Sequence, residues 1–208
     1  MELARLLDSR NEHPESLAAL DEEIWQRFGR TAAVLVLDMC GFSRLTMRYG
    51  ITHFLAMIRR LNQIVRPAIA AAGGTVIKTE ADNVFAIFPY VAEALAASRD
   101  IQSRLREANT FLPEDWDLHA SIGIGYGPLL VIEGSEPGSE AGNDVFGAEL
   151  NLAAKLGEDI GRSAEIWLTA AAHENLNAGD GEGLSFDSVA VEASDLKWTA
   201  FRLKPPPH

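Results

Sequence analysis

The chain has 208 residues, 47% of them hydrophobic and 23% charged, the mixture of a globular domain that buries a core of its own. Thirty acidic against eighteen basic side chains give a net charge of −12, which argues against nucleic acids and anionic membrane surfaces as partners, since both require a basic footprint. A single cysteine, Cys40, excludes an internal disulfide framework and a cysteine zinc site, no apolar run reaches the roughly 18 residues of a spanning helix, and the charged start MELARLLDSRNEHPE has no signal-peptide core, so a reducing cytoplasm is the expected compartment.

Leu17, Leu20, Ile24 and Trp25 recur at helical spacing, so residues 1–30 are expected to form a polar helical arm against the main domain or a partner chain. Residues 31–204 form the main domain, and 205–208 a proline-rich tail that cannot enter a sheet. Ala32–Asp38 is a continuous apolar run ending in a carboxylate, the pattern of a strand buried on both faces. Met39–Ser43 is a glycine-containing turn, and Ile51 through Val65 carry a helical period that Gly73-Gly74 ends, with Pro67 as a point of bending. Thr75–Glu80 and Val84–Phe88 flank Ala81-Asp82-Asn83 as a hairpin with a three-residue tip. A helix over 91–108 follows, then strands at 118–125 and 129–132 around a Tyr126-Gly127-Pro128 break, a polar loop over 133–143, and a helix over 148–157. A short strand at 165–168, a helix near 170–177, a loop at 179–183 and strands near 185–192 and 198–203 complete the chain. The order β-α-β-β-α-β predicts an α+β fold of the ferredoxin-like split-βαβ type, with helices on one face and additions at the C-terminus.

Three groups of residues carry chemistry. Asp38 ends the first strand and Asp82 turns the hairpin that lies beside it in such a sheet, so the two carboxylates can meet and share divalent cations with phosphate oxygens. Cys40-Gly41-Phe42-Ser43 joins a strand to a helix N-terminus, a place where free N–H groups can cradle a polyphosphate. Asn151 and Lys155 stand four apart on one helix, an amide and an ammonium on one face. Taken singly, each group also reads as ordinary structure: two solvated loop acids, a plain strand-to-helix turn and a solvated helix face. The acidity adds a constraint, because a polyphosphate ligand would have to be attracted by local metal ions and backbone dipoles.

Asp38 in VLDMCGFS, the stretch Gly74…Lys78-Thr79-Glu80-Ala81-Asp82, the glycines of GIGYG over 123–127 and DVFGAELNLAAKL over 144–156 resemble, in order and spacing, the class III adenylate/guanylate cyclase catalytic domain. The resemblance covers roughly residues 32–203. It implies a lyase that converts a nucleoside triphosphate into a 3′,5′-cyclic nucleotide and pyrophosphate. Asp38, Asp82 and the carbonyl of Met39 match the ligands of two Mg²⁺ or Mn²⁺ ions, and the backbone of Cys40, Gly41, Phe42 and Ser43 matches the triphosphate cradle. Lys78 and Asp144 match the base-selecting positions in the adenine pattern, which points to ATP. Asn151 matches the ribose-orienting asparagine, and Lys155 stands at the place of the transition-state arginine. In this family the site is shared across a dimer, which implies a homodimer with two equivalent sites.

Several positions depart from the family pattern. Lys155 keeps the charge of the arginine but loses its fork. Ser121 replaces a triphosphate-binding arginine, Lys197 is an uncertain counterpart of a phosphate-contacting lysine, Ala81 and Asn83 replace glycines beside Asp82, and Glu80 adds an acid. This shortage of positive charge leaves open a weak or silent nucleotide-binding and dimerisation module, or a cyclase with another base preference, pyrimidines included.

Overall fold

Strand β1, Gly29–Met39, runs through the centre of the sheet, and Ala32 to Leu37 are buried without a break. Such a strand needs cover on both faces. In the computed structural model, which describes residues 2–113, 116–134, 140–176, 183–193 and 196–205, and over 42–45 the backbone alone, both faces are covered. Ala33, Leu35 and Leu37 point to one side and meet Phe54, Met57 and Leu61 of helix α4 (Ile51–Ala71) and Leu95 and Ile101 of α5 (Val91–Asn109). Val34 and Val36 point to the other and meet Leu150 and Ala153 of α6 (Ala148–Ala154), together with Ile77 and Phe85. The expectation of helices on one face is thereby corrected: α6 covers the second, as the unbroken apolar run of β1 demands.

The sheet order is β2 (Thr75–Glu80), β3 (Asn83–Phe88), β1, β4 (Ala120–Ile132), β6 (Ile166–Thr169), β8 (Leu196–Leu203), β7 (Phe186–Ala193), with β5 (Asp144–Phe146) paired to the far end of β4. Its first four members are the split-βαβ unit, and β6, β8 and β7 are the C-terminal additions. β4 is one strand where two were expected. It pairs with β1 from Gly29↔Leu130 to Met39↔Ala120, passing straight through Gly127 and Pro128. β6 pairs only with 122–124 and β5 only with 130–132, so no strand lies outside Pro128 to miss its N–H. The hairpin tip is also tighter than expected. Glu80 pairs with Asn83, which leaves Ala81 and Asp82 as the turn, with Ala81 at φ 52° in the left-handed region. Helix α4 runs on through Pro67. The expected loop at 179–183 lies outside the described residues apart from Gly183.

At the N-terminus α1 (Glu2–Glu12) and α2 (Leu17–Phe28) pack together through Leu6 and Ile24, and Arg10 binds Asp21 through Nε at 2.5 Å. α2 lies against β1 and β4, so the arm packs on its own domain. Among the described residues no helix is long and apolar enough to cross a membrane.

The helix over 148–157 is the element that departs furthest from expectation. Its α-helical part stops at Ala154 and continues as a π-helix, Lys155–Ile160. The glycines beneath explain how it lies so low. A Cβ on Gly123 would come within 2.0 Å of the Ala153 carbonyl oxygen, and one on Gly157 within 2.9 Å of the Val36 carbonyl oxygen. Backbone therefore packs on backbone at this point, and the π-helix rests on β1 and β4 beside the end of β1. Gly123→Val forces these backbones apart and is expected to destabilise the fold by about 3 kcal/mol, as overpacking at a rigid contact does. Urea unfolding with the slope compared to wild type measures it.

Candidate active site

The pairing of β1 with β3 ends at Leu37↔Val84, which brings Asp38 beside the turn that holds Asp82. Burial raises the Asp38 carboxyl, and the neighbouring charges of Asp82, Glu158 and Asp159 raise it further, to about 7, against one hydrogen bond donated by the Met39 N–H. Burial raises Asp82 as well. Glu158 is raised by burial and by Asp159, and its Oε1 accepts a hydrogen bond of 3.0 Å from the Asn83 amide. The expected pair of aspartates therefore lies in the field of two further carboxylates. Glu158 and Asp159 come from the π-helix and were not foreseen. The available signal was two acids three and four places after Lys155, read as lying beyond the helix end at Gly157.

Crowded carboxylates resist ionising together unless a cation lies among them. The donors here are hard oxygens, which suit Mg²⁺ or Mn²⁺ and not a soft metal. Among the described residues no group of three or more His, Cys, Asp and Glu side chains is placed to hold a metal ion by itself. Two carboxylates and a main-chain oxygen, completed by substrate phosphates, are the kind of set Mg²⁺ accepts from a protein. The donor set present thus fits the implied ions through Asp38, Asp82 and the carbonyl of Met39, whose side chain is buried in the core.

The turn after β1 is partly committed to structure. The Cys40 N–H donates to the His119 carbonyl at 2.8 Å, extending the β1–β4 ladder, so its place in the phosphate cradle is corrected: that donor is already used. Burial and the carboxylates of Asp38, Glu165 and Asp82 push the Cys40 thiol up to about 11, so it is not a nucleophile at neutral pH. Gly41 takes φ 90°, where a side chain would be strained, and turns the chain into α3, Phe42–Tyr49, with no side chain capping its start. The first-turn N–H groups of Phe42 and Ser43 have no partner within the helix by geometry.

Lys78 and Asp144, far apart in sequence, are brought together. β2 and β5 place the Lys78 ammonium 2.8 Å from Asp144 and 2.6 Å from Glu80, and 5.0 Å from the centre of the Phe85 ring. Partial burial lowers the ammonium, but hydrogen bonds to Asp144 and Glu80 outweigh it and hold it above the ordinary range. The Val145 N–H donates to Asp144 Oδ1 at 2.9 Å and fixes the carboxylate.

Asn151 is exposed on α6, and Lys155 opens the π-helix four residues later. The Lys155 ammonium lies 2.7 Å from Asp159, so its charge is compensated within its own chain. Ser121 does not stand in for a phosphate-binding cation. It is fully buried opposite Asp38, packed against Gly161, and its Oγ has no partner among the described residues. Lys197 is the second residue of β8, two strands away from β4, and pairs with Glu192 at 3.1 Å.

No family model matches the chain. A Streptomyces coelicolor (strain ATCC BAA-471 / A3(2) / M145) protein named adenylate cyclase is 28% identical over 160 residues, 77% of this chain, and a Rhizobium meliloti (strain 1021) protein named putative adenylate cyclase 3 is 26% identical over 145 residues, 70% of this chain. A crystal structure described as the adenylate/guanylate cyclase/hydrolase of Silicibacter pomeroyi superposes with a TM-score of 0.69 at 26% identity, covering 85% of this chain and 98% of that one. Over most of its length the chain is similar in sequence to proteins named adenylate cyclase and in fold to adenylate/guanylate cyclase catalytic domains. It spans 37% and 23% of the length of the two relatives, and nearly the whole of the Silicibacter domain. The cyclase fold accounts for the sheet order, for the placement of Asp38 at the end of β1 and for the second helical layer.

Proposed function

We propose that residues 31–204 are the catalytic unit of a nucleotidyl cyclase, with 1–30 as an arm, converting a nucleoside triphosphate to a 3′,5′-cyclic nucleotide and pyrophosphate in a homodimer with shared sites. The observation that carries this reading is the cluster of raised carboxylates at Asp38 and Asp82 on a cyclase fold. When bound, Mg²⁺ or Mn²⁺ ions would acidify the ribose 3′-hydroxyl and neutralise the triphosphate. Asp38, Asp82 and the Met39 carbonyl would hold that charge in place. The N–H groups of Phe42 and Ser43 at the start of α3 receive phosphate oxygens. Asn151, facing in from the partner protomer, orients the ribose, and Lys155 offsets charge that grows on the α-phosphate oxygens during in-line attack.

ATP is the favoured substrate. Adenine offers a ring-nitrogen acceptor and an exocyclic amine donor, and Lys78 supplies a donor where Asp144 supplies an acceptor. Their 2.8 Å contact supports the two acting on one base. Incubating the purified chain with each of the four triphosphates and Mn²⁺, with products read by mass spectrometry, tests the proposal. Cyclic AMP is the expected major product, and no cyclic product from any triphosphate would end the enzymatic reading.

The pairing of Lys155 with Asp159 favours a second reading, a slow or silent module that binds nucleotide without turning it over. Releasing the lysine separates the two. Asp159→Asn is expected to raise kcat about twofold with KM unchanged, the size an exposed ion pair four residues apart supports, whereas Lys155→Ala lowers it. Steady-state kinetics on both variants decides, and thermal stabilisation by ATP with no turnover in any variant would favour the silent module.

A further inference from the structure

On the face of the sheet that carries α4 and α5, away from Lys78 and Asp144, a cleft of about 750 Å³ opens between α5, residues 163–166, and the end of β8. Arg99, Gln102, Ser103 and Arg106 line one wall at positions three, four and seven apart, a single stripe of α5. Arg202 and Lys204 line the opposite wall. The charges of this second wall are already matched. Arg202 lies 3.1 Å from Glu165 and 3.2 Å from Asp187, and Lys204 lies 3.1 Å from Asp187. Glu165, the one carboxylate lining the cleft among the described residues, also accepts from the Arg162 N–H and the Trp167 indole, both at 2.9 Å. Arg99 and Arg106 make no ion pair and no hydrogen bond among the described residues. Two uncompensated guanidinium groups thus face a common space, in a protein whose net charge is −12.

A chain this acidic has every opportunity to neutralise two arginines, and an unneutralised pair along one wall of a cleft marks an anion site. The hydroxyls of Ser103, Ser163 and Ser185 line the same space and add neutral donors. Guanidinium forks with hydroxyl donors match a tetrahedral dianion, and the volume exceeds what a bare ion needs and lies in the range of small-ligand sites. We propose that this cleft binds the phosphoryl group of a phosphorylated small molecule, separately from the substrate of the proposed reaction, with Arg99 and Arg106 as its principal ligands.

Binding is measured on the full chain in EDTA with no triphosphate present, so the outcome is independent of turnover and of the carboxylate cluster. The probes are inorganic phosphate, the monophosphate ester glycerol 3-phosphate, which carries no base for Lys78 and Asp144 to read, and, as a dianion of different shape, succinate, each at constant ionic strength in calorimetry and thermal melts. Phosphate and the monophosphate are expected to raise Tm and succinate to do so far less. Arg99→Ala with Arg106→Ala is expected to weaken both phosphoryl probes about tenfold or more, since both lost contacts are charged hydrogen bonds. Ser103→Glu, which fills the stripe with negative charge, is expected to abolish binding, and Lys78→Ala to leave it unchanged. All three α5 positions are exposed, so the variants keep the fold, which circular dichroism confirms. The absence of any shift with phosphate or the monophosphate overturns the proposal. So does an equal response to succinate, or a response that survives the arginine substitutions or is lost with Lys78→Ala.

Discussion

Asp38→Asn is expected to reduce cyclic nucleotide formation by about a thousandfold or more, and at the same time to make the metal-free protein more stable at neutral pH. The first half follows from the proposed chemistry. Stabilising charge at the reacting phosphate is worth several kcal/mol when divalent ions are held correctly, and about 4 kcal/mol corresponds to three decades in rate. An amide at position 38 keeps the shape and removes the charge that anchors them. The second half follows from the raised carboxyl. In the folded, metal-free chain Asp38 titrates near 7, against an unfolded value near 3.8, because it is partly buried among Asp82, Glu158 and Asp159. The folded state therefore holds a proton that the unfolded state has released, and stability falls as pH rises from about 4 to about 7. The amide of the variant has no proton to lose. Thermal melts in EDTA between pH 4 and 8 should show a falling Tm for wild type and a flatter profile for the variant, which overtakes wild type at the upper end. A variant that is inactive and more stable has lost chemistry and not fold. A variant that melts lower than wild type at pH 8 would contradict the crowding of charge on which the site rests.

That crowding was only half legible in the sequence. The unbroken run Ala32–Leu37 announced a strand buried on both faces, and the hairpin after α4 announced a neighbour, so the approach of Asp38 and Asp82 could be read from spacing and turn chemistry. The same run implied a second helical layer, which the ferredoxin-like layout left out. Glu158 and Asp159 were not legible, because a π-helix changes the angle between successive side chains and the 3.6-residue period carries no sign of it. Its seat can be understood afterwards from Gly123 and Gly157, whose missing side chains let backbone lie on backbone. The continuity of β4 was hidden by Gly127 and Pro128, which interrupt a central strand but are tolerated where one side of the ladder is empty. The meeting of Lys78 with Asp144 rested on family resemblance alone, since nothing local in either segment points to the other. Arg99 and Arg106 lay in view as a helical stripe, but that β8 would come over to close a cleft above them is a long-range fact that no periodicity carries.

Mixing two inactive homodimers, Asp82→Asn and Asn151→Ala, is expected to restore about a quarter of wild-type activity. The expectation rests on the closed two-fold geometry proposed for the dimer, in which each site takes its carboxylates from one protomer and its asparagine and lysine from the other. Asn151 stands exposed on α6, and its side chain makes no hydrogen bond among the described residues. Within the chain, by contrast, Asp159 holds Lys155 at 2.7 Å and lies in the field of Asp38. In a freely exchanged equimolar mixture about half of the dimers are mixed, and each mixed dimer pairs the intact Asp38 and Asp82 of one chain with the intact Asn151 of the other in one of its two sites. That arithmetic gives about one quarter, from parents that are each expected near zero. Exchange is checked by mass-tagged subunits, and activity by cyclic product formed against mixing time. If subunits exchange fully and activity does not return, each chain would have to complete its site alone. Lys155 would then have to reach the carboxylate cluster of its own protomer, and the Asp159 contact would be the step that delivers it.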